Sequence, residues 1–202
     1  MRSNKAHSLM IFLIRHGKPE FPYTDNPRKW IRGSEFNRLI RLYDEAALHT
    51  EWNRARAATK DPHTVTTIRA SNAYSSDLLR AKETATLLLN GSAFAQDSMF
   101  REVPLPDVPN WFWLPSYWHL MLARILWYLG KRSDEPKNAA INRAKMAADR
   151  LEREAHQRPV SLFSHGFFLY ILSQELRRRG WHCDLNRPMR YLEIRTFLRK
   201  SS

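Results

Sequence analysis

The chain has 202 residues, 43% of them hydrophobic and 26% charged, and carries a formal net charge of +13. This is the composition of an ordinary soluble globule, free of repeats and low-complexity tracts, and a lone cysteine, Cys183, excludes an intrachain disulfide and suggests a reducing compartment. The cations attract polyanions in general, but only ELRRRG (175–180) clusters them tightly. No zinc finger, RNP-type signature or basic region before a heptad zipper accompanies them, so dedicated nucleic-acid binding is disfavoured.

In chain order, LMIFLI (9–14) is apolar at every position, as expected of a strand covered on both faces. The run follows positive charges but is too short for a secretory signal and lacks a small-residue cleavage site, so a cytoplasmic protein is expected. Residues 26–48 pass from loop into helix, with Ser34 as N-cap and Phe36, Leu39, Ile40 and Tyr43 on one face. A short strand near 68–74 closes on Ser75, Ser76 and Asp77, all good N-cap residues. Residues 78–89 are strongly helical, with Asn90-Gly91 as a stop. Four prolines make REVPLPDVPNWFWLPS (101–116) a surface loop. Helices follow over 118–129 and 138–157, the second with Ile141, Met146 and Leu151 inward. Then come a buried strand at 160–163, the helix FFLYILSQELRRRG, and MRYLEIRTFLRK, which alternates as an edge strand does. Strand and helix in turn predict an α/β fold, a three-layer α/β/α domain with a mostly parallel central sheet. It would occupy 1–202 as a single domain, with a helical, aromatic insertion around 103–158.

Three segments share a grammar: an apolar strand, polar functional residues, then usually a helix. They are FLIRHG, NAYSSDLLRAKETA and SLFSHG. In open α/β sheets, the carboxyl ends of the strands form the crevice that binds ligands. If the three strands are neighbours, His16, Arg80 and His165 reach one spot. Arg80, in the first turn of its helix, also lies near N–H groups that favour an anion. With Arg15, the set makes a site for a dianionic phosphoryl group.

These motifs, in this order and spacing, resemble the histidine phosphatase superfamily, also called phosphoglycerate mutase-like, over about residues 10–168. The resemblance implies that His16 is a nucleophile taking the phosphoryl group, that Arg15 and Arg80 hold phosphate oxygens, and that His165 is a second imidazole on the same oxygens. It implies neither metal nor cofactor, since arginines neutralise the charge. It also implies a glutamate that protonates the leaving oxygen. Glu102 stands at about the expected place, with Glu20, Asp77 and Asp107 as lesser candidates.

The Asn- and Thr-containing segment that mutase-like members carry after the first motif is replaced here by KPEFPYTDNPRKWIRG, with Asn26 too far along to stand in for it. That favours phosphomonoester or protein-phosphohistidine hydrolysis over mutase-type transfer. A non-catalytic phosphate- or polyanion-binding relative is a further alternative. The expected partner is a phosphorylated small molecule or protein. The aromatic stretch 111–128 is expected to pack a helical layer against the sheet, with a lid or an amphipathic helix on an anionic membrane surface as alternatives.

Overall fold

A computed structural model describes residues 8–21 and 26–200. Residues 1–7, which include the positive flank of the first apolar run, and residues 22–25, inside the segment after RHG, lie outside these.

Strand β1 (Ser8–Arg15) is followed by β2 (Trp30–Arg32), α1 (Gly33–Leu42), α2 (Thr50–Ala58), α3 (Pro62–Arg69), β3 (Asn72–Ser75), α4 (Leu79–Leu89) and β4 (Ala95–Gln96). After a proline-rich loop come β5 (Trp113–Pro115), α5 (Ser116–Tyr128), α6 (Lys137–Ala155), β6 (Val160–Ser164), α7 (Gly166–Arg178) and β7 (Ile194–Lys200). The main sheet has the order β4-β3-β6-β1-β7. β1, β3, β4 and β6 run parallel, and β7 closes the edge antiparallel to β1. The unbroken apolar run of β1 is explained by its two covered faces. Ile11 and Leu13 join Val160 and Leu162 under α6 and α7. Phe12 and Ile14 join Phe163, Ala85 and Leu88 on the α3–α4 side. This is the expected α/β/α layering.

Several local expectations are corrected. Ile68 belongs to α3, and the strand begins only at Asn72. Pro62 at the start of α3, capped by the Asp61 carboxylate, outweighs the β-branched residues that follow. Helix α1 is flanked by Arg32, without a side-chain cap, and Ser34 lies inside it. In α6 Leu151 points inward, but Met146 is exposed and the buried stripe is alanine: Ala140, Ala144, Ala147, Ala148 and Ala155. Small residues let α6 pack closely on α7 and the sheet. The loop over 101–116 is not wholly superficial, because Val103 and Val108 are buried and its end forms β5 on β2.

The aromatic stretch does not pack as expected. Trp127 is buried, but Trp111, Trp113, Tyr117, Trp118 and Tyr128 are exposed. Helix α5 buries only Ser116, His119, Ala123 and Trp127: Ala123 joins the small cluster of Ile31, Phe36 and Val108, His119 stacks on Phe36, and Trp127 joins the main core.

Candidate active site

Because β1, β3 and β6 are adjacent and parallel, their carboxyl ends open at one edge of the sheet. His16 follows β1 and is held by its N–H to the Ser164 carbonyl at 2.8 Å and by the Leu192 N–H to its own carbonyl at 3.2 Å. His165 follows β6 at the start of α7, and Arg80 lies in the first turn of α4. The imidazoles of His16 and His165 are 5.1 Å apart between ring centroids. His16 is 2% exposed, and Arg80 and His165 are 0% exposed, so the cluster is sealed from solvent.

The side chains are aimed by specific contacts. His16 Nδ1 lies 2.7 Å from the Gly17 carbonyl oxygen. A carbonyl can only accept, so the proton is on Nδ1 and the lone pair on Nε2. Burial, and then the charges of Arg80 and Arg15, push the His16 pKa well below that of a free imidazole, which keeps this lone pair unprotonated. His165 is depressed in the same direction, by burial first and then by Arg80. Its Nε2 is 2.9 Å from Ser76 Oγ, which also accepts from the Leu78 N–H. Ser76, expected to cap α4, thus orients the second imidazole. α4 itself is flanked by Leu78 without a side-chain cap.

Both guanidiniums are anchored by their terminal nitrogens. Arg15 Nη1 donates to the Met189 carbonyl at 2.5 Å. Arg80 Nη1 donates to the Tyr43 carbonyl at 2.8 Å and Nη2 to Asp44 Oδ1 at 3.0 Å. Arg15 Nε, Arg80 Nε and His165 Nδ1 are buried and have no hydrogen-bond partner within the protein. Buried polar nitrogens without partners are rare and unfavourable, and an oxyanion in the crevice would supply an acceptor for the two Nε–H groups.

Two tyrosines cover the cations. Tyr191 lies 4.2 Å from Arg15 Cζ, and Tyr43 lies 4.5 Å from Arg80 Cζ. Their hydroxyls meet at 3.3 Å. Burial, and then Tyr191, raise the Tyr43 pKa well above the usual phenol value, so it stays protonated. Leu192, next to Tyr191, has φ 53, an uncommon conformation for a bulky residue that stores local strain beside the site. Tyr191 also borders a cavity of about 440 Å³ with Trp52, Ala55, Arg56 and Arg190.

Among the proposed proton donors, Glu102 accepts N–H bonds from Phe167 and Phe168 in the first turn of α7, at 3.1 and 2.9 Å, and from Val103 at 2.9 Å. It therefore anchors the helix that carries His165. Asp77 pairs with Arg101 and Asp107 with Arg41, each at the surface. Glu20 is exposed. Sequence reading missed Asp44, Tyr43, Tyr191 and Asn53. Buried Asn53 holds the chain after Gly17, accepting from the Lys18 N–H at 2.8 Å and donating to the carbonyls of Lys18 and His49 at 2.7 and 2.8 Å. A buried asparagine in a helix of low amphipathicity was the only signal, and burial cannot be read from spacing.

The family model described as histidine phosphatase superfamily (branch 1) matches residues 11–194. The chain belongs to the histidine phosphatase superfamily. Among curated proteins none matches. Solved structures of similar fold include a phosphoserine phosphatase mutant from Entamoeba histolytica, with TM-score 0.60 and 14% identity over 96% of this chain and 95% of that one. A phosphoglycerate mutase from Bacillus anthracis has TM-score 0.60 and 18% identity over 96% and 89%. A mycobacterial glucosyl-3-phosphoglycerate phosphatase has TM-score 0.57 and 19% identity over 95% and 96%. As a histidine phosphatase superfamily member, the chain shares its fold with phosphatases and with a mutase alike.

Proposed function

We propose that this superfamily member is a metal-independent phosphatase that hydrolyses a phosphomonoester, or a protein phosphohistidine, through a phosphohistidine intermediate on His16. The observation that carries this reading is the bond from His16 Nδ1 to the Gly17 carbonyl. It leaves Nε2 as an unprotonated nucleophile within a crevice walled by two guanidiniums.

For a phosphomonoester, the Nε2 lone pair forms the N–P bond as the bond from phosphorus to the leaving oxygen breaks. Arg15 and Arg80, presenting Nε–H edges, balance the charge on the equatorial oxygens. Ser76 Oγ, already accepting from the Leu78 N–H, donates a hydrogen bond to His165 Nε2, so that His165 Nδ1–H is a further donor to the phosphoryl group. Glu102 is assigned the proton for the leaving oxygen. To deliver it, the carboxyl group releases one of the α7 N–H groups it now accepts. Water then attacks phosphorus and gives a proton to the Glu102 carboxylate as the N–P bond breaks, so that inorganic phosphate, neutral His16 and the protonated Glu102 carboxyl are restored. Entry requires the Tyr43–Tyr191 pair to part, and the open depression that Tyr191 borders is assigned to the alcohol portion.

The test is turnover of an aryl phosphate in the presence of a chelator, with acid-labile phosphate trapped on the protein. Turnover and trapped phosphate are expected in the native chain, and both are lost in His16→Ala. Equal rates in the two proteins would falsify the assignment.

A further inference from the structure

We propose that the outward face of α5 is a docking surface for an anionic lipid bilayer. Tyr117, Trp118, Met121, Ile125, Tyr128 and Leu129 are all substantially exposed, with Trp118 at 59%, Ile125 at 52% and Leu129 at 78%. At about 100° per residue they fall within an arc of roughly 120°, and no charged residue interrupts it. Large apolar side chains exposed side by side, rather than singly, mark an interaction site. Arg124, the one charged residue of α5, does not shield this face. It turns inward, 3.9 Å from the Phe167 ring, and donates to the Val103 carbonyl at 3.0 Å.

The chemistry of the face and its surroundings selects the occupant. Trp118, Tyr117 and Tyr128 make up half of it, side chains that combine an apolar ring with a polar edge and favour the zone between headgroups and acyl chains. Cations flank both ends. At the amino end, Ser116 and Tyr117 N–H groups bond to the Lys29 and Pro27 carbonyls, which brings Arg28 and Lys29 alongside. At the carboxyl end, Lys137 Nζ lies 5.4 Å from the Tyr128 ring centroid, and Lys131 and Arg132 follow the helix. Of the nearby acids, Glu135 is clamped by Arg143, Asp107 by Arg41 and Glu35 lies 3.9 Å from Lys29, while Asp134 is exposed; Arg28, Lys131, Arg132 and Lys137 outnumber it. A second copy of a +13 chain brings like charge to this face, whereas an anionic surface complements it. No helix among the described residues is long and apolar enough to cross a membrane. At about 1.5 Å per residue, α5 offers roughly 20 Å of apolar contact lying along a surface.

The experiment is co-sedimentation of the full chain with vesicles of phosphatidylcholine alone and of phosphatidylcholine mixed with phosphatidylserine. It is repeated with the double variant Trp118→Ser/Ile125→Ser, whose net charge is unchanged and whose fold is verified by thermal melting. Expected are binding to the mixed vesicles only, a blue shift of tryptophan emission, and about tenfold or greater loss of affinity in the variant. Undiminished binding of the variant means that general charge alone is responsible and overturns the proposal. So does equal binding to both vesicle types, or binding to neither. A concentration-dependent dimer in sedimentation velocity, abolished by the same substitutions, assigns the face to a second copy and likewise overturns it.

Discussion

Gly166 lies directly against the guanidinium of Arg15: a Cβ added there would stand 3.0 Å from both Cζ and Nε. The last motif therefore favours glycine because the Arg15 guanidinium, assigned to the phosphoryl group, crosses its backbone. Gly17 in the first motif has the same kind of reason, since a Cβ there would overlap the side-chain amide of Asn53.

Gly166→Ala is expected to displace Arg15 while leaving the chain folded. One misplaced charge-assisted contact is worth about 1.5–3 kcal/mol, so kcat/KM for an aryl phosphate should fall about 10- to 100-fold. Steady-state kinetics alongside a thermal melt decides it. Unchanged kinetics would mean that Arg15 does not contact the phosphoryl group.

Stability should decline on mild acidification. His16 and His165 are buried with pKa values depressed below 6.5. Above that value they are neutral in both folded and unfolded chains. Below it the unfolded chain takes up protons that the folded chain excludes, so stability is lost as pH falls from about 6.5 towards the folded values. The slope approaches about 2–3 kcal/mol per pH unit for the pair. Urea midpoints measured at several pH values should show it, and His165→Gln should flatten the slope.

Glu102→Gln separates two roles. A proton donor that has been removed slows alkyl phosphates far more than activated aryl esters, by about 100-fold or more. Loss of an anchor for the Phe167 and Phe168 N–H groups slows both alike and lowers the melting temperature, since an amide replaces the carboxylate that accepts from three donors. The ratio of the two rates, set beside the melt, gives the answer.

Sequence patterning was sufficient where the signal is local and periodic. The β1 run, the 78–89 helix with its Asn90 stop in a left-handed conformation, and the three strand-end motifs all read directly, because apolar periodicity and turn chemistry act over a few residues. The layered parallel sheet followed from the alternation of elements. Helix α2 escaped notice because its amphipathicity is weak, and α3 because it is short and rich in β-branched residues. The outward turn of α5 also escaped, since a helix apolar on every side gives no indication of which side is covered.

By itself the chain determined which residue types stand at the strand ends: two imidazoles, two guanidiniums and two glycines. Tertiary structure alone decided the His16 tautomer, the Ser76 partner of His165, the tyrosines over both arginines and the Asn53 brace. The tautomer rests on a backbone conformation that turns the Gly17 carbonyl onto the His16 ring, and the others on hydrogen bonds or ring contacts between segments distant in sequence, neither of which the local order of residues encodes.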